Sequence, residues 1–266
     1  MTATPVPSDD VLADDHRFAA WAATVAGELL LDVRGQGLEG RELKDAGDAA
    51  AQELLMRILA EHRPGDSVLS EESRETHTDE GRLRAERVWI IDPLDGTREF
   101  SEPPRDDWAV HVALWARDGH GGGELVAGAV AQPGLGTTFH TGEPPVVPPR
   151  SSERPRIAVS RTRPPAFVEA MAAEIGADLV PMGSAGAKVI SVTRDVTDAY
   201  VHAGGQYEWD SAAPVAVARA AGLFTSRIDG SPLVYNQTDV LLPDLVVCRP
   251  ELSEQILDFI RRHGVE

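Results

Sequence analysis

The 266-residue sequence predicts a mixed α/β protein of two units, α+β in its first half and α/β in its second. Three observations carry that prediction. Two stretches with helical apolar periodicity, residues 14 to 34 and 45 to 60, precede several apolar runs of strand length. Beyond residue 156, strand-like and helical segments alternate. Between the halves, residues 141 to 156 carry five prolines with serines and charge, the composition of a linker. The expected boundaries are a flexible leader over 1 to 15, an N-terminal unit over 16 to 145 and a C-terminal unit over 156 to 266.

In the first helix Phe18, Trp21, Ala22, Val25, Leu29 and Leu30 recur at helical spacing, and Gly35-Gln36-Gly37 ends it. The second helix buries Leu54, Leu55, Ile58 and Leu59 and stops before Pro64-Gly65. Asp48 is expected in its first turn, where the helix dipole alone would favour a carboxylate. A short strand over 66 to 69 leads into Glu71-Glu72, and the charged, aperiodic residues 73 to 86 read as a surface excursion. Strands follow over 88 to 91, 107 to 115 and 125 to 131, the last two forming a hairpin around a glycine-rich turn. His111 reads as a core histidine of the central strand. In the second unit, strands are expected over 157 to 160, 179 to 182, 198 to 202 and 245 to 248, with helices over 166 to 175, 186 to 192, 211 to 221 and 251 to 263.

Composition narrows the function. A formal net charge of −18 argues against a nucleic-acid polymer as partner, because polyphosphate chains need a basic surface. No apolar run reaches membrane-spanning length, so no membrane partner is expected. The leader has neither a basic start nor an apolar core and does not read as a signal peptide. Cys248 stands alone in a strand-like run, which leaves no intrachain disulfide, fits a buried thiol and suits a cytoplasmic location.

The chemistry concentrates in Trp89-Ile90-Ile91-Asp92-Pro93-Leu94-Asp95-Gly96-Thr97. Asp92 and Asp95 are hard oxygen ligands of the kind Mg²⁺ takes, and Pro93 turns the chain between them. Gly96 permits close backbone approach, and the amides of Gly96 and Thr97 would face an anion if a helix starts there. Alone, Asp-x-x-Asp-Gly is an ordinary surface turn. Two further carboxylate clusters change that reading: Ser70-Glu71-Glu72-Ser73 follows Val68-Leu69, and Trp209-Asp210-Ser211-Ala212-Ala213 opens an alanine-rich helix.

This ordered set, with Asp48 ahead of it, resembles the signature of the lithium-sensitive, Mg²⁺-dependent phosphomonoesterases: the inositol monophosphatases, fructose-1,6-bisphosphatases and 3′-phosphoadenosine 5′-phosphate phosphatases. The resemblance implies a layered α-β-α-β-α sugar-phosphatase-like fold. It also implies two or three Mg²⁺ ions, with inhibition by Li⁺. By that resemblance Asp92 would bridge two ions, Glu71 and the Leu94 carbonyl completing one, Asp95 and Asp210 the other. Glu71 and Thr97 would hold the attacking water, and Asp48 would orient the Thr97 hydroxyl. Glu72 is placed outside the ligand set, and no histidine or cysteine lies near these motifs in sequence.

For the substrate, Gly183-Ser184-Ala185-Gly186-Ala187-Lys188, Glu208 before Trp209-Asp210, and Ser160-Arg161 look like the CysQ-type 3′-phosphoadenosine 5′-phosphate phosphatases, which serve sulfate assimilation. The implied substrate contacts are Asp95, Gly96, Thr97, Ser160, Arg161, Gly186, Lys188, Glu208 and Asp210. Lys188 and Arg161 are the cations for a second phosphate, or else surface charges. Where inositol monophosphatases carry a glutamate before the Trp-Asp pair, this chain has Ala203. The expected partner is thus a small phosphorylated metabolite, with a homodimer compatible with the sequence. An inositol-1-phosphate or fructose-1,6-bisphosphate phosphatase, or a non-catalytic phosphometabolite-binding protein, remains the alternative.

Overall fold

The computed structural model describes residues 5 to 265. Its first half contains α1 (Asp9–Ala13), α2 (Asp15–Arg34), α3 (Gly40–His62), β1 (Ser67–Ser70), α4 (Arg74–His77), α5 (Glu80–Arg84), β2 (Arg87–Asp95), α6 (Thr97–Phe100), β3 (Ala109–Arg117), β4 (Gly123–Gln132) and β5 (Thr137–His140). The second half contains β6 (Arg156–Ser160), α7 (Ala166–Ile175), β7 (Asp178–Met182), α8 (Ala185–Thr193), β8 (Ala199–Ala203), α9 (Glu208–Ala220), β9 (Phe224–Ser226), β10 (Asp244–Cys248) and α10 (Ser253–His263). Two five-stranded sheets result, ordered β1-β2-β3-β4-β5 and β7-β6-β8-β10-β9. In the first only β1 and β2 are parallel; in the second β6 runs parallel to β7 and β8, while β10 is antiparallel to its neighbours.

These stack as five layers: α2 and α3, the first sheet, α8 and α9, the second sheet, then α7 and α10. Successive strand side chains face opposite sides of a sheet, so a sheet covered on both faces needs continuously apolar strands. In β2, Trp89 and Ile91 pack with Phe18, Leu30 and Leu55 of the outer helices. Val88 and Ile90 face Val189, Ala213 and Val217 of the middle layer. That middle core also takes Tyr200 and Leu245 from the second sheet, so the two predicted units share a core. A third cluster joins Ile157, Val201 and Val246 to Met171, Ile256 and Phe259.

Several expectations need correction. Residues 1 to 4 of the expected leader lie outside the described residues, but 9 to 13 form α1. Asp14 caps α2 by accepting the His16 and Arg17 amides, and Asp15 pairs with Arg87 at 2.9 Å, which ties this segment down. Helix α3 begins at Gly40, so Asp48 stands in its interior instead of its first turn. The expected surface excursion folds into α4 and α5, with Arg82 fully buried. β5 and β9 are edge strands of four and three residues, too short and too polar to register as apolar runs. No described helix is long and apolar enough to cross a membrane.

Candidate active site

Parallel pairing of β1 with β2 sets Ser70 opposite Ile91, which brings Glu71 alongside Asp92 where the strands end. The Glu71 amide donates to the Ile91 carbonyl at 3.4 Å. Strand β2 does not stop there, as the sequence suggested, but continues to Asp95 with a slip in register between Asp92 and Asp95. Pro93 lies inside that slip, where its missing N–H does no harm to the ladder. Gly96 then takes φ +86°, with Ser184 and Trp108 only 3.0 and 3.3 Å from where a Cβ would stand. Both conformation and space require glycine. The Thr97 hydroxyl lies 3.3 Å from Asp48 Oδ1 and 3.2 Å from the Leu94 carbonyl, its single hydrogen shared between them.

Asp92 is buried and accepts the Leu94 amide at 3.1 Å. Asp95 is locked into the start of α8. Its Oδ2 accepts from the Ser184 hydroxyl and the Gly186 amide, both at 2.6 Å, and Oδ1 accepts from the Ala185 amide at 3.1 Å. His111, fully buried and opposite Asp92 on β3, places Nε2 3.1 Å from Asp95 Oδ2 and Nδ1 3.1 Å from the Trp209 carbonyl. Sequence reading placed no histidine near the motifs; in space the hairpin register delivers one. Asp210 lies in the first turn of α9, where its Oδ2 accepts the Tyr207 amide at 2.7 Å. The Trp209 ring is buried between stacked Tyr207 and His77, with centroids 4.8 and 4.6 Å away.

The carboxylates feel one another strongly. Glu71 stays open to solvent on one side, yet the protein packed about its carboxyl, then Asp210, push it up to about 8. Burial, then Glu71, Asp95 and Asp210, raises Asp92 well above the ordinary carboxylate range. Burial and Asp95 lift Asp210 to about 7, and burial and Glu72 lift Asp48 to about 7. Asp95 behaves oppositely: burial would raise it, but His111, Ser184 and Gly186 bring it down to about 2. Burial would lower His111, yet the neighbouring Asp95 outweighs burial and shifts the imidazole upward.

Three acidic groups therefore face one another without enough protein cation to balance them. Asp92 and Asp95 carboxylate oxygens and a His111 ring nitrogen lie within 4.8 Å of one another, the ring nitrogen engaged with Asp95. With Glu71, Asp210 and the Leu94 carbonyl this is an oxygen-rich set suited to a hard divalent cation. The residues fit a metal centre.

The expected substrate contacts divide. Asp95, Gly96, Thr97, Gly186 and Asp210 converge on this centre. Glu208 is buried, and its two oxygens accept the Asn236 and Gln237 amides at 2.6 and 2.7 Å. Arg161 is held by Glu99 at 2.7 Å and Glu102 at 2.9 Å. The Lys188 ammonium donates to the Gly183 carbonyl and sits 5.2 Å over the Tyr200 ring, buried beside the acidic cluster. Ser160 accepts the Arg163 amide at 3.3 Å. Ser184, which sequence reading left unassigned, both caps α8 and grips Asp95; its place just before a helix was the available signal.

The model of the inositol monophosphatase family matches residues 14–264. A protein of Mycobacterium bovis named 3′-phosphoadenosine 5′-phosphate phosphatase is 51% identical over 243 residues, covering 88% of this chain and 89% of that protein. The 3′(2′),5′-bisphosphate nucleotidase CysQ of Escherichia coli is 30% identical over 207 residues, covering 74% of this chain and 81% of its own. The crystal structure of inositol monophosphatase II from Staphylococcus aureus superposes with a TM-score of 0.75 at 23% identity, covering 92% of this chain and 95% of that one.

Proposed function

The chain belongs to the inositol monophosphatase family, and from that membership we propose that it is a Mg²⁺-dependent phosphomonoesterase that hydrolyses 3′-phosphoadenosine 5′-phosphate to AMP and phosphate. The observation that carries the catalytic reading is the convergence of Glu71, Asp92, Asp95 and Asp210 beside a threonine hydroxyl already held by Asp48. The nucleotide is supported by the relative that shares half of its residues with this chain and bears that substrate in its name.

Divalent ions held by Glu71, Asp92, the Leu94 carbonyl, Asp95 and Asp210 would supply an acidified water and neutralise phosphoryl charge. The chain's own groups do the rest. Thr97 has its hydrogen committed to Asp48 and Leu94, so its lone pairs face outward to accept from a water. Asp48, lifted to about 7, is poised to take a proton near neutral pH. Asp95 orients the start of α8, whose amides it occupies, and thereby fixes Gly183, Ser184 and the first turn of that helix against the site. Lys188, buried in the first turn of α8 beside Asp95 and Asp210, contributes positive charge to the cluster. Inhibition of phosphate release by Li⁺, a role in sulfate assimilation and action in the cytoplasm go with this reading.

Its test is a comparison of kcat/KM, with Mg²⁺, for 3′-phosphoadenosine 5′-phosphate, inositol 1-phosphate and fructose 1,6-bisphosphate. The nucleotide is expected to lead by tenfold or more. An inositol or fructose ester ahead by that margin would refute the substrate, and no phosphate release from any of them would refute the reaction.

A further inference from the structure

We propose that Arg82 is a positioning residue that sets the separation of Glu71 from Asp210, and through it the affinity of the site for divalent cations. The proposal rests on the reading of those two carboxylates as metal ligands. They come from different layers, Glu71 from the end of β1 in the first sheet and Asp210 from the first turn of α9 in the middle layer, so their spacing depends on what ties those two ends together. Arg82 lies at the middle of a network of hydrogen bonds that runs from Ser70, next to Glu71, to Glu208, in the same helical turn as Asp210.

On one side, Ser70, which directly precedes Glu71, is held through its amide by the Thr76 hydroxyl at 3.1 Å and through its carbonyl by His77 Nε2 at 2.7 Å. Arg82 grips the backbone of both holders: Nε donates to the Thr76 carbonyl and Nη2 to the His77 carbonyl, each at 3.2 Å. On the other side, Nη2 donates to the Gln237 carbonyl at 3.0 Å and Nη1 to the Asn236 side-chain carbonyl. The amides of Asn236 and Gln237 in turn clamp both oxygens of Glu208. Glu208 shares the first turn of α9 with Asp210. A parallel contact, the His77 ring stacked on Trp209, joins the same two segments.

A fully buried guanidinium is costly unless its donors are satisfied, and here its fork joins the end of α4 to the segment at Asn236 and Gln237, which no other buried cation joins among the described residues. Asn236 takes φ +59°, a left-handed conformation that asparagine tolerates, and its side-chain oxygen accepts from Arg82. Partners that orient ligands from behind typically govern metal affinity by about 10- to 100-fold.

Two variants test this. Arg82→Lys keeps the charge but loses the fork. Asn236→Gly removes the acceptor while its backbone adopts the left-handed conformation freely. Mg²⁺ binding is read by titration calorimetry without substrate, alongside kcat at saturating Mg²⁺ and the circular dichroism of each folded variant. Both variants are expected to weaken Mg²⁺ binding about tenfold, with most of kcat regained at high Mg²⁺. Folded variants that bind Mg²⁺ as tightly as the wild type would overturn the proposal; if Arg82→Lys fails to fold, Asn236→Gly alone decides. A wild-type protein that takes up no Mg²⁺ would instead overturn the functional reading on which the proposal stands.

Discussion

Replacing Asp95 by asparagine should separate its two jobs, as a ligand and as the anchor of α8. Its carboxylate accepts from Ser184, Gly186 and Ala185 and lies 3.1 Å from His111. An asparagine offers one oxygen. If that oxygen replaces Oδ2, the amino group faces the Ala185 amide, and an unsatisfied buried donor costs about 1–3 kcal/mol. The charge matters as well: Asp95 is drawn from 3.8 to about 2, which corresponds to about 2 kcal/mol of preference for the ionised form. A carboxylate with a depressed folded value stabilises fully above its unfolded value, and that stability is lost as pH falls toward about 2. At neutral pH all of it is present. Because the two contributions overlap, the net loss is about 2–4 kcal/mol, or about 5–15 °C in melting temperature for a chain of this size.

Asp92→Asn provides the opposite sign. Burial and three neighbouring carboxylates disfavour its charge, so removing that charge should leave the metal-free protein at least as stable as wild type. The assay is thermal unfolding of both variants in chelator, followed by phosphate release with Mg²⁺. Both should lose turnover, and only Asp95→Asn should lose melting temperature. A metal-free Asp95→Asn protein melting within about 1 °C of wild type would refute the reasoning, since it would mean the α8 amides and His111 do not depend on that charge.

The metal-free protein should lose stability between about pH 4 and pH 8. Glu71, Asp48 and Asp210 have folded values raised to about 8, 7 and 7, so over this window the folded state binds more protons than the unfolded one and stability falls as pH rises. Melting curves at pH 5 and pH 8, with and without Mg²⁺, check this, and the difference should shrink when metal is present. Thr97→Ala should lower kcat about 100-fold while Thr97→Ser restores most of it, as steady-state kinetics would report. Gly186→Ala should destabilise by about 1–3 kcal/mol, read by denaturant unfolding, because its Cβ would stand 2.0 Å from Nε2 of the buried His111 ring.

The sequence disclosed the fold where periodicity was strong. Helix α7 matched its expected limits, and the doubly covered strands β2 and β3 stood out because both their faces are apolar. The carboxylate motifs were legible because each sits at the end of an apolar run, where a strand or helix must deliver it to a surface or a cleft. Other features depended on tertiary context. His111 sits among apolar neighbours in sequence, and only antiparallel register puts it opposite Asp92. Arg82 belongs to a stretch whose charge reads as solvated, yet Asn236 and Gln237, far along the chain, supply the acceptors that make its burial tolerable. Glu208 was the converse case: adjacency to Trp209-Asp210 suggested the substrate, while the loop amides claimed both of its oxygens.

These placements bear on how an acidic protein handles an acidic metabolite. With a net charge of −18, the chain as a whole repels a phosphate ester, and the site concentrates that repulsion. The fold neutralises only one member of the cluster: His111 and the α8 amides stabilise Asp95 as an anion, whereas Glu71, Asp92 and Asp210 hold their protons at pH values where free carboxylates would not. Those protons mark positions that a divalent cation would take instead, so metal uptake and deprotonation must be coupled. The same stored repulsion that weakens the metal-free fold near neutral pH would then favour cation binding, and bound cations would invert the local field that a phosphate encounters. On the proposed function, selectivity for the anion would come from the metal, while the protein's acidity would serve to recruit it.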